Sequence, residues 1–232
     1  MFTKSARYYD ALYHFKDYGT TSRQLLSQIH DRNPSAISLL DVGCGTGKHL
    51  EYLRESLQVE GLDVNTELLE IARTRCPGVP FHQGDMVKFD LGRSFDVITC
   101  LFSSIAYVRT IDNMNAAINC MAQHLNPKGL LFIEPWFSPE SYWVGRLTAN
   151  FVDQPDLKIA WMYTSEIEGL VSILDINYLV GSHDGITYFT ERHELGLFTQ
   201  EEYQEGFHRV DLEVEYDPVG LFNRGLYIGK NH

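Results

Sequence analysis

The sequence predicts an α/β fold in which a doubly wound, mainly parallel sheet carries an inserted antiparallel β meander. Two observations predict it. Up to residue 137, short apolar runs alternate with amphipathic helical runs, and such alternation requires right-handed crossovers between parallel strands. From residue 138 to 195, strand-like runs follow one another with turn residues between them, which is typical of antiparallel hairpins.

The parallel part is predicted from five apolar runs that are separated by helical segments. The expected strands are 38–43, 58–65, 80–86, 95–104 and 130–136, and the expected helices are 48–57, 66–76 and 110–125. Thr66 is expected to cap the second helix, since threonine favours the N-cap position. The carboxyl ends of parallel strands lie at one edge of a sheet, and ligands of open α/β folds bind there.

The meander and the segments after it complete the sheet. Gly169 and the pair Asp184-Gly185 mark turns between strand-like runs. A helix is expected at 199–210, followed by two closing strands, "LEVEYDP" and "GLYIGK".

The chain length of 232 residues suits one domain with a sizeable insertion. We expect one α/β domain built from residues 1–137 and 196–232. Residues 138–195 are expected to form a lid or a platform for an acceptor, because long insertions beside ligand crevices commonly do so.

The composition narrows the class of partner. The net charge is -12 and no stretch concentrates Lys and Arg, which argues against nucleic acid and against an anionic membrane. A small anionic substrate, held by one or two arginines, remains compatible with this charge. The four cysteines show no CxxC spacing, so no metal site is expected. The first residues lack the apolar core of a signal peptide, and no stretch of about 18 apolar residues occurs, so a cytoplasmic protein is expected.

The stretch "LLDVGCGTGKHL" places Gly43, Gly45 and Gly47 directly after the first strand. Their G-x-G-x-G spacing differs from the G-x-G-x-x-G of dinucleotide loops. Three glycines leave this loop without side chains, which indicates that a ligand approaches its backbone closely. The alternative is a tight strand-to-helix turn without a ligand.

Acidic residues follow this loop at the ends of three successive strands. Asp63 is placed to accept hydrogen bonds from both ribose hydroxyls, with Val64 beside it. Asp85 is placed to accept from an adenine amino group while Met86 packs on the ring, and Asp41 is placed to face an ammonium group. A pyrophosphate prefers a helix N-terminus without nearby negative charge. The carboxylates therefore favour the cationic ligand S-adenosylmethionine over NAD(P), although helix capping by each Asp is the alternative.

The motifs in this order resemble class I S-adenosylmethionine-dependent methyltransferases. They are "LLDVGCGTG", "VEGLDVN", "FHQGDM", "FDVITCLFSS" and "LNPKGLLFIEP". Further segments resemble the N,N-dimethyltransferases of nucleotide-linked 3-amino-3,6-dideoxy sugars, namely "YYDALYHFKDY", "LFSSIAYV", "EPWFSPESY", "HELGLFTQEEYQEGF" and "NRGLYIG". The resemblance implies a Rossmann-like methyltransferase fold with S-adenosylmethionine as cofactor, and a homodimer.

Candidate catalytic residues follow from position and from the resemblance. An amine acceptor must lose a proton before it attacks the methyl group. Tyr107, after the fourth strand, is expected to face the methyl group. Tyr9 and Tyr13 lie on the N-terminal segment that in the resembling family folds over the cofactor, and Tyr18 is included among the cofactor contacts. His124 is a further candidate base, although its place near a helix C-terminus favours interaction with the helix dipole.

Candidate contacts to the acceptor lie at later strand ends. Phe102, Ser103 and Ser104 end the fourth strand, where contacts to adenine or to the acceptor are expected, and Phe102 is counted among the cofactor contacts. Glu134 and Trp136 end the fifth strand, where a carboxylate can hold an ammonium acceptor and an indole can stack on a ring. Arg224 is a candidate clamp for a diphosphate.

These features predict an N-methyltransferase that acts on the amino group of a nucleoside-diphosphate-linked amino-deoxy sugar by in-line transfer. The alternatives are an N- or O-methyltransferase of another small metabolite, an NAD(P)-dependent oxidoreductase, and a catalytically silent domain that binds the cofactor.

Overall fold

The computed structural model describes residues 2–232 and contains two sheets. The larger sheet has seven strands in the order β10-β11-β5-β4-β1-β2-β3. These are β1 (Ser38–Val42), β2 (Gln58–Asp63), β3 (Phe81–Gln83), β4 (Phe95–Cys100), β5 (Leu125–Ile133), β10 (Glu213–Asp217) and β11 (Leu226–Lys230). The first five strands pair in parallel, and β11 runs antiparallel to both β5 and β10.

The second sheet is the predicted meander. Its four strands are β6 (Leu147–Gln154), β7 (Leu157–Glu168), β8 (Val171–Ser182) and β9 (Gly185–Gly196), and each pairs antiparallel with the next. The α/β fold with an inserted antiparallel meander is therefore confirmed.

Six α-helices and two short 3-10 helices connect the strands in residues 2–232. The α-helices are α1 (Tyr9–Leu12), α2 (Tyr18–Arg32), α3 (Lys48–Leu53), α4 (Thr66–Arg75), α5 (Ile111–Ala122) and α6 (Gln200–His208), and the 3-10 helices are Ala6–Tyr8 and Ser104–Val108. No helix in this described part of the chain is long and apolar enough to cross a bilayer.

Several local predictions need correction. The sequence did not predict α2, whose N-terminus is capped by Asp17 through a hydrogen bond from the backbone N–H of Thr20. The cap of α4 is Asn65, not Thr66, because the Asn65 side chain accepts from the N–H groups of Glu67 and Leu68. The fourth strand ends at Cys100, and the chain then forms the 3-10 helix rather than continuing to residue 104.

The core lies on both faces of the seven-stranded sheet. Side chains alternate along a strand, so Leu40 of β1 packs with Met114 of α5 on one face, while Leu39 packs with Leu25 of α2 on the other. The meander buries its inner face separately, with Trp161 and its neighbours packed against the N-terminal segment and the 3-10 helix at 104–108. The carboxyl ends of β1, β2 and β4 therefore lie at the edge of the large sheet that faces the N-terminal segment and the meander.

Candidate active site

Two adjoining cavities lie at the carboxyl ends of β1, β2 and β4. The first, here the loop cavity, has a volume of about 260 Å³ and is bounded by the glycine loop. The second, here the aromatic cavity, has a volume of about 310 Å³ and is bounded by the meander and the N-terminal segment. Both cavities are lined by Phe2, Tyr9, Ser104 and Tyr107. These four residues therefore mark the junction between two ligand-sized spaces.

The glycine loop contributes two of its three glycines to the loop cavity. Gly43 has φ +74°, and a Cβ there would lie 2.7 Å from Cβ of Ser104. Gly45 has φ +54°, and a Cβ there would meet nothing within 4 Å, so its bare backbone faces open cavity. Gly47 lines neither cavity. A Cβ at Gly47 would lie 3.2 Å from Cβ of Ala72, so its backbone packs closely against α4, and its cofactor contact stays a prediction.

Asp63 ends β2 at the wall of the loop cavity. Its Oδ2 accepts from the N–H of Gly45 at 2.8 Å, and its Oδ1 accepts from the N–H of Asn65 at 2.8 Å. Burial raises the pKa of Asp63, and hydrogen bonds from backbone N–H groups oppose that rise. Each carboxylate oxygen has a second lone pair, so Asp63 retains the capacity to accept from a ligand hydroxyl.

Val64, Asp85 and Met86 line the loop cavity together with Asp63. The Oδ1 atom of Asp85 accepts from the N–H of Val87 at 3.1 Å, which orients the carboxylate. An apolar thioether, an isopropyl group and a carboxylate thus border one space. This set provides flat apolar contact and a hydrogen-bond acceptor, as an adenine ring requires.

Asp41 lies beneath the glycine loop and lines neither cavity. It is 3% exposed, and its Oδ1 accepts from Thr99 Oγ1 at 2.7 Å. The pKa of Asp41 is raised to about 7, mainly by burial; the hydrogen bond from Thr99 opposes the rise and the nearby Asp63 contributes to it. The predicted direct contact with an ammonium group is therefore not supported, because the carboxylate faces β4 inside the sheet.

The N-terminal segment covers both cavities. Phe2 and Tyr9 line both of them, and Tyr13 lines the aromatic cavity. Thr46 of the glycine loop donates to Asp10 Oδ1 at 2.8 Å, and Arg75 forms an ion pair with the same carboxylate. The segment is thereby attached to the glycine loop.

Tyr18 does not line either cavity. Its ring packs edge-on against His49 at 5.0 Å and against Phe222 at 6.3 Å. Tyr18 is the first residue of α2 and its ring packs beside α3, so the structure does not bring it to the loop cavity, and its cofactor contact stays a prediction.

Tyr107 lies on the 3-10 helix after β4, at the junction of the cavities. Its hydroxyl lies 2.8 Å from Nδ1 of His193 on β9. His193 lines the aromatic cavity, and sequence reasoning did not select it because it has no partner at metal or helical spacing.

His124 is remote from both cavities. Its Nδ1 donates to the carbonyl of Cys120 at 2.8 Å, and its Nε2 accepts from the N–H of Leu91 at 3.2 Å. Its ring also packs on Phe89 at 4.5 Å. Both ring nitrogens are therefore occupied within the fold, and the candidate catalytic role of His124 is not supported.

A buried carboxylate, that of Glu134, links the segment after β5 to the segment after β4 by a hydrogen bond. Oε2 of Glu134 accepts from the N–H of Phe102 at 2.6 Å, which holds Phe102 in its left-handed conformation, φ 52°. Burial raises the pKa of Glu134. Glu134 is fully buried and lines neither cavity, so a direct contact with the acceptor is not supported. Phe102 lines the aromatic cavity instead of the predicted cofactor space.

The aromatic cavity has a cationic wall. The guanidinium carbon of Arg224 lies 4.7 Å from the ring centre of Trp136, and Arg224 donates to Ser103 Oγ at 3.2 Å. The Nζ atom of Lys16 lies 2.8 Å from the ring centre of Phe102. Burial and Arg224 lower the pKa of Lys16 to about 7, although Glu134 raises it. Arg146 is a third cation in this lining and was missed at the sequence level.

Polar atoms of the same cavity lack partners. Nε1 of Trp161 and Oγ1 of Thr148 are buried, and neither has a hydrogen-bond partner within residues 2–232. A buried N–H or hydroxyl without a partner costs free energy. These two residues line the cavity, so the cost would fall if a ligand with polar groups reached the two atoms, and the cationic side chains suit a ligand with negative charge.

Comparison with known proteins agrees with this geometry. A family profile described as "Methyltransferase domain" matches residues 39–129. The dTDP-3-amino-3,6-dideoxy-alpha-D-glucopyranose N,N-dimethyltransferase of Streptomyces fradiae is 39% identical over 92% of this chain and 85% of its own length. The dTDP-4-amino-2,3,4,6-tetradeoxy-D-glucose N,N-dimethyltransferase of Saccharopolyspora spinosa is 39% identical over 95% and 90%.

Solved structures are similar over the whole chain. The crystal structure of DesVI from Streptomyces venezuelae superposes with a TM-score of 0.94 at 35% identity, covering 100% of both chains. An amino pentose methyltransferase of Micromonospora echinaspora, solved with S-adenosylmethionine bound, gives a TM-score of 0.89 at 36% identity and covers 100% of this chain and 98% of its own. These relatives exclude the oxidoreductase alternative. The chain is an S-adenosylmethionine-dependent methyltransferase and belongs to the family of the dTDP-amino-sugar N,N-dimethyltransferases.

Proposed function

We propose that the protein methylates the amino group of a nucleoside-diphosphate-linked amino-deoxy sugar. The observation that carries the proposal is the junction at Tyr9, Ser104 and Tyr107, where a cavity suited to an adenosyl group meets one suited to an anionic, hydroxylated ligand. The relatives from Streptomyces fradiae and Saccharopolyspora spinosa are named for dTDP-amino sugars, which supports the same acceptor class.

The loop cavity would hold the cofactor through residues of three strand ends. Asp63 would accept from the ribose hydroxyls, Asp85 from the adenine amino group, and Val64 and Met86 would pack on the ring. The open space beside Gly45 would receive the ligand against bare backbone. When bound, S-adenosylmethionine supplies an electrophilic methyl carbon.

The aromatic cavity would hold the acceptor. Arg224 and Lys16 would bind the diphosphate, since a guanidinium can contact phosphate oxygens through two N–H groups. Trp136 would flank the sugar, and Trp161 Nε1 and Thr148 Oγ1 would bind its oxygens, because these two atoms lack protein partners within residues 2–232. The anion would also ease the burial of two neighbouring cations.

The chain assists transfer mainly by alignment. Displacement at carbon requires the amine nitrogen in line with the bond that breaks, and holding both reactants in that geometry accelerates the reaction. Tyr9 and Tyr107 border the junction, and burial holds the pKa of each hydroxyl well above its usual value. Both hydroxyls therefore stay protonated and can donate to, or exchange a proton with, the acceptor.

The finer organisation is also part of this proposal. Residues 138–195 form the acceptor platform of a single α/β domain built from 1–137 and 196–232, and the enzyme acts in the cytoplasm.

Two copies pair through the outer face of the meander, where β-strand register aligns Phe151, Ala160, Leu179 and Tyr188. Phe151 is 68% exposed and Tyr188 64%, which supports a self-complementary apolar contact.

The test is mass spectrometry after incubation with S-adenosylmethionine and a panel of dTDP sugars. The panel contains the 3-amino-3,6-dideoxy and the 4-amino-2,3,4,6-tetradeoxy glucose derivatives, together with their hydroxyl counterparts. The amino sugars should gain one or two methyl groups on nitrogen, and the hydroxyl sugars none. Methylation of oxygen, or no methylation of any amino sugar, would contradict the proposal and favour another small metabolite. Binding without any transfer would indicate the catalytically silent alternative.

A further inference from the structure

The half-buried Tyr107 and two buried side chains form a line from the junction of the cavities into the meander. Tyr107 Oη lies 2.8 Å from Nδ1 of His193, and Nε2 of His193 lies 3.7 Å from Oε2 of Glu191. His193 is 3% exposed and Glu191 6%. His193 and Glu191 are two residues apart on β9, so both side chains lie on one face of the meander.

Glu191 also attaches the N-terminal segment to the meander. Its Oε1 accepts from the N–H of Thr3 at 3.0 Å, from Thr3 Oγ1 at 2.7 Å and from the N–H of Ser5 at 2.9 Å, and Ser5 Oγ donates to Oε2. Burial opposes ionisation, but the hydrogen bonds from Ser5 and Thr3, together with the nearby His193, hold the pKa of Glu191 well below its usual value. Glu191 is therefore an anion at neutral pH.

The negative charge of Glu191 bears on where the protons of His193 and Tyr107 lie. Burial lowers the pKa of His193, although Glu191 opposes this, so the imidazole is neutral at neutral pH. Nε2 lies 3.7 Å from the carboxylate and has no hydrogen-bond partner within residues 2–232. With the imidazole proton on Nε2, on the side of the anion, Nδ1 is the acceptor for the Tyr107 hydroxyl. Burial holds the pKa of Tyr107 well above its usual value, so that hydroxyl has a proton to donate.

We propose that Tyr107 and His193 remove the proton that the acceptor ammonium must lose before methyl transfer. The ammonium N–H bond breaks as Tyr107 Oη takes that proton, and the original Tyr107 proton moves to Nδ1 of His193. The electron pair stays on the amine nitrogen, which becomes the nucleophile. Glu191 stabilises the imidazolium, which returns its proton to water between turnovers. His193 and Glu191 are thus positioning residues that act through Tyr107, and this inference rests on the proposed function.

The test compares His193→Asn and His193→Ala with wild type on whichever amino sugar the wild type methylates. The Asn side chain offers an oxygen near the position of Nδ1, so it can accept from Tyr107 but cannot take a proton. We expect kcat to fall at least tenfold in both variants, while affinity for S-adenosylhomocysteine changes less than twofold. Added imidazole should restore part of kcat in His193→Ala and none in His193→Asn. His183→Asn is the matched control, because His183 is exposed on the same meander and pairs only with Asp156 among described contacts.

A kcat of His193→Asn within twofold of wild type would overturn the proton transfer. Nitrogen-15 NMR of the free protein gives a second readout that does not depend on turnover, with His193 assigned by its loss in the Asn variant. We expect Nε2 protonated and Nδ1 bare, and a proton on Nδ1 would overturn the inference. If the wild type methylates no panel member, the proposed function fails separately, and the NMR result still decides whether His193 can accept a proton from Tyr107.

Discussion

The sharpest test of the loop cavity is a methyl group at Gly45. The Cβ of an alanine at this position would meet nothing within 4 Å, so Gly45→Ala adds no clash within the fold. Gly45 lines the loop cavity, and the new methyl would project into the space assigned to the cofactor. The residue thus separates an effect on ligand binding from an effect on packing.

The magnitude has two parts. Gly45 has φ +54°, and an alanine in this left-handed region loses about 1–2 kcal/mol of stability. Gly92 provides the matched control, since it has φ +63°, also meets nothing within 4 Å and lines neither cavity. Both variants should therefore lose similar stability. Only Gly45→Ala should lose cofactor affinity, by about tenfold or more, which corresponds to about 1.4 kcal/mol.

The assay is isothermal titration with S-adenosylhomocysteine, together with urea unfolding of both variants. Equal losses of stability with affinity lost in Gly45→Ala alone would agree with the reasoning. If Gly45→Ala binds S-adenosylhomocysteine within twofold of wild type, the cofactor does not approach this backbone and the assignment of the loop cavity is refuted. A Gly43→Ala variant cannot replace it, because a Cβ there would lie 2.7 Å from Ser104.

Four further outcomes are expected. Asp63→Ala should weaken binding of S-adenosylhomocysteine by about 1–3 kcal/mol in titration, because ligand hydroxyls lose their acceptor; unchanged affinity would remove the ribose assignment. Arg224→Ala should raise the acceptor KM at least tenfold in steady-state assays while cofactor affinity is unaltered, and an unchanged KM would place Arg224 outside the site. Lys16→Met should be more stable than wild type at pH 7 in urea unfolding. The pKa of Lys16 is about 7 in the folded protein and 10.5 ordinarily, so the wild-type free energy of unfolding rises with pH between those two values. The stability advantage of Lys16→Met over wild type should therefore be smaller at about pH 9 than at pH 7. An advantage that stays constant with pH would contradict the lowered pKa. Glu191→Gln should lower kcat and weaken S-adenosylhomocysteine binding together, since Glu191 holds the N-terminal segment and faces His193; loss of only one property would show that the two roles are separate.

Local periodicity was enough to predict the cofactor side of the fold. Alternating strands and helices define the parallel sheet, and the positions of Asp63, Val64, Asp85 and Met86 follow because parallel strand ends meet at one edge. Their side chains do line one cavity. Asp63 is the last residue of β2, and Val64, Asp85 and Met86 follow β2 and β3, so all four lie at the sheet edge that borders the loop cavity.

Two other carboxylates near strand ends were harder to place. Asp41 and Glu134 stand near strand ends in the sequence, but Asp41 accepts from Thr99 of β4 and Glu134 accepts from Phe102. Sequence shows that a carboxylate is near an edge and does not show whether it faces a cavity or a neighbouring strand. Tertiary packing decides that, since each carboxylate finds its donor on a different element.

The acceptor side depends on contacts between distant segments. His193 had no local signal, because its partner Tyr107 is 86 residues away, and alternation along β9 predicts only which face it shares. The same β9 carboxylate, Glu191, holds Thr3 and Ser5 of the covering segment and faces His193. One carboxylate therefore contacts both the segment that covers the cavities and the imidazole beside Tyr107. The meander is thus more than a removable lid, because it lines the aromatic cavity, holds the N-terminal segment through Glu191 and places His193 against Tyr107.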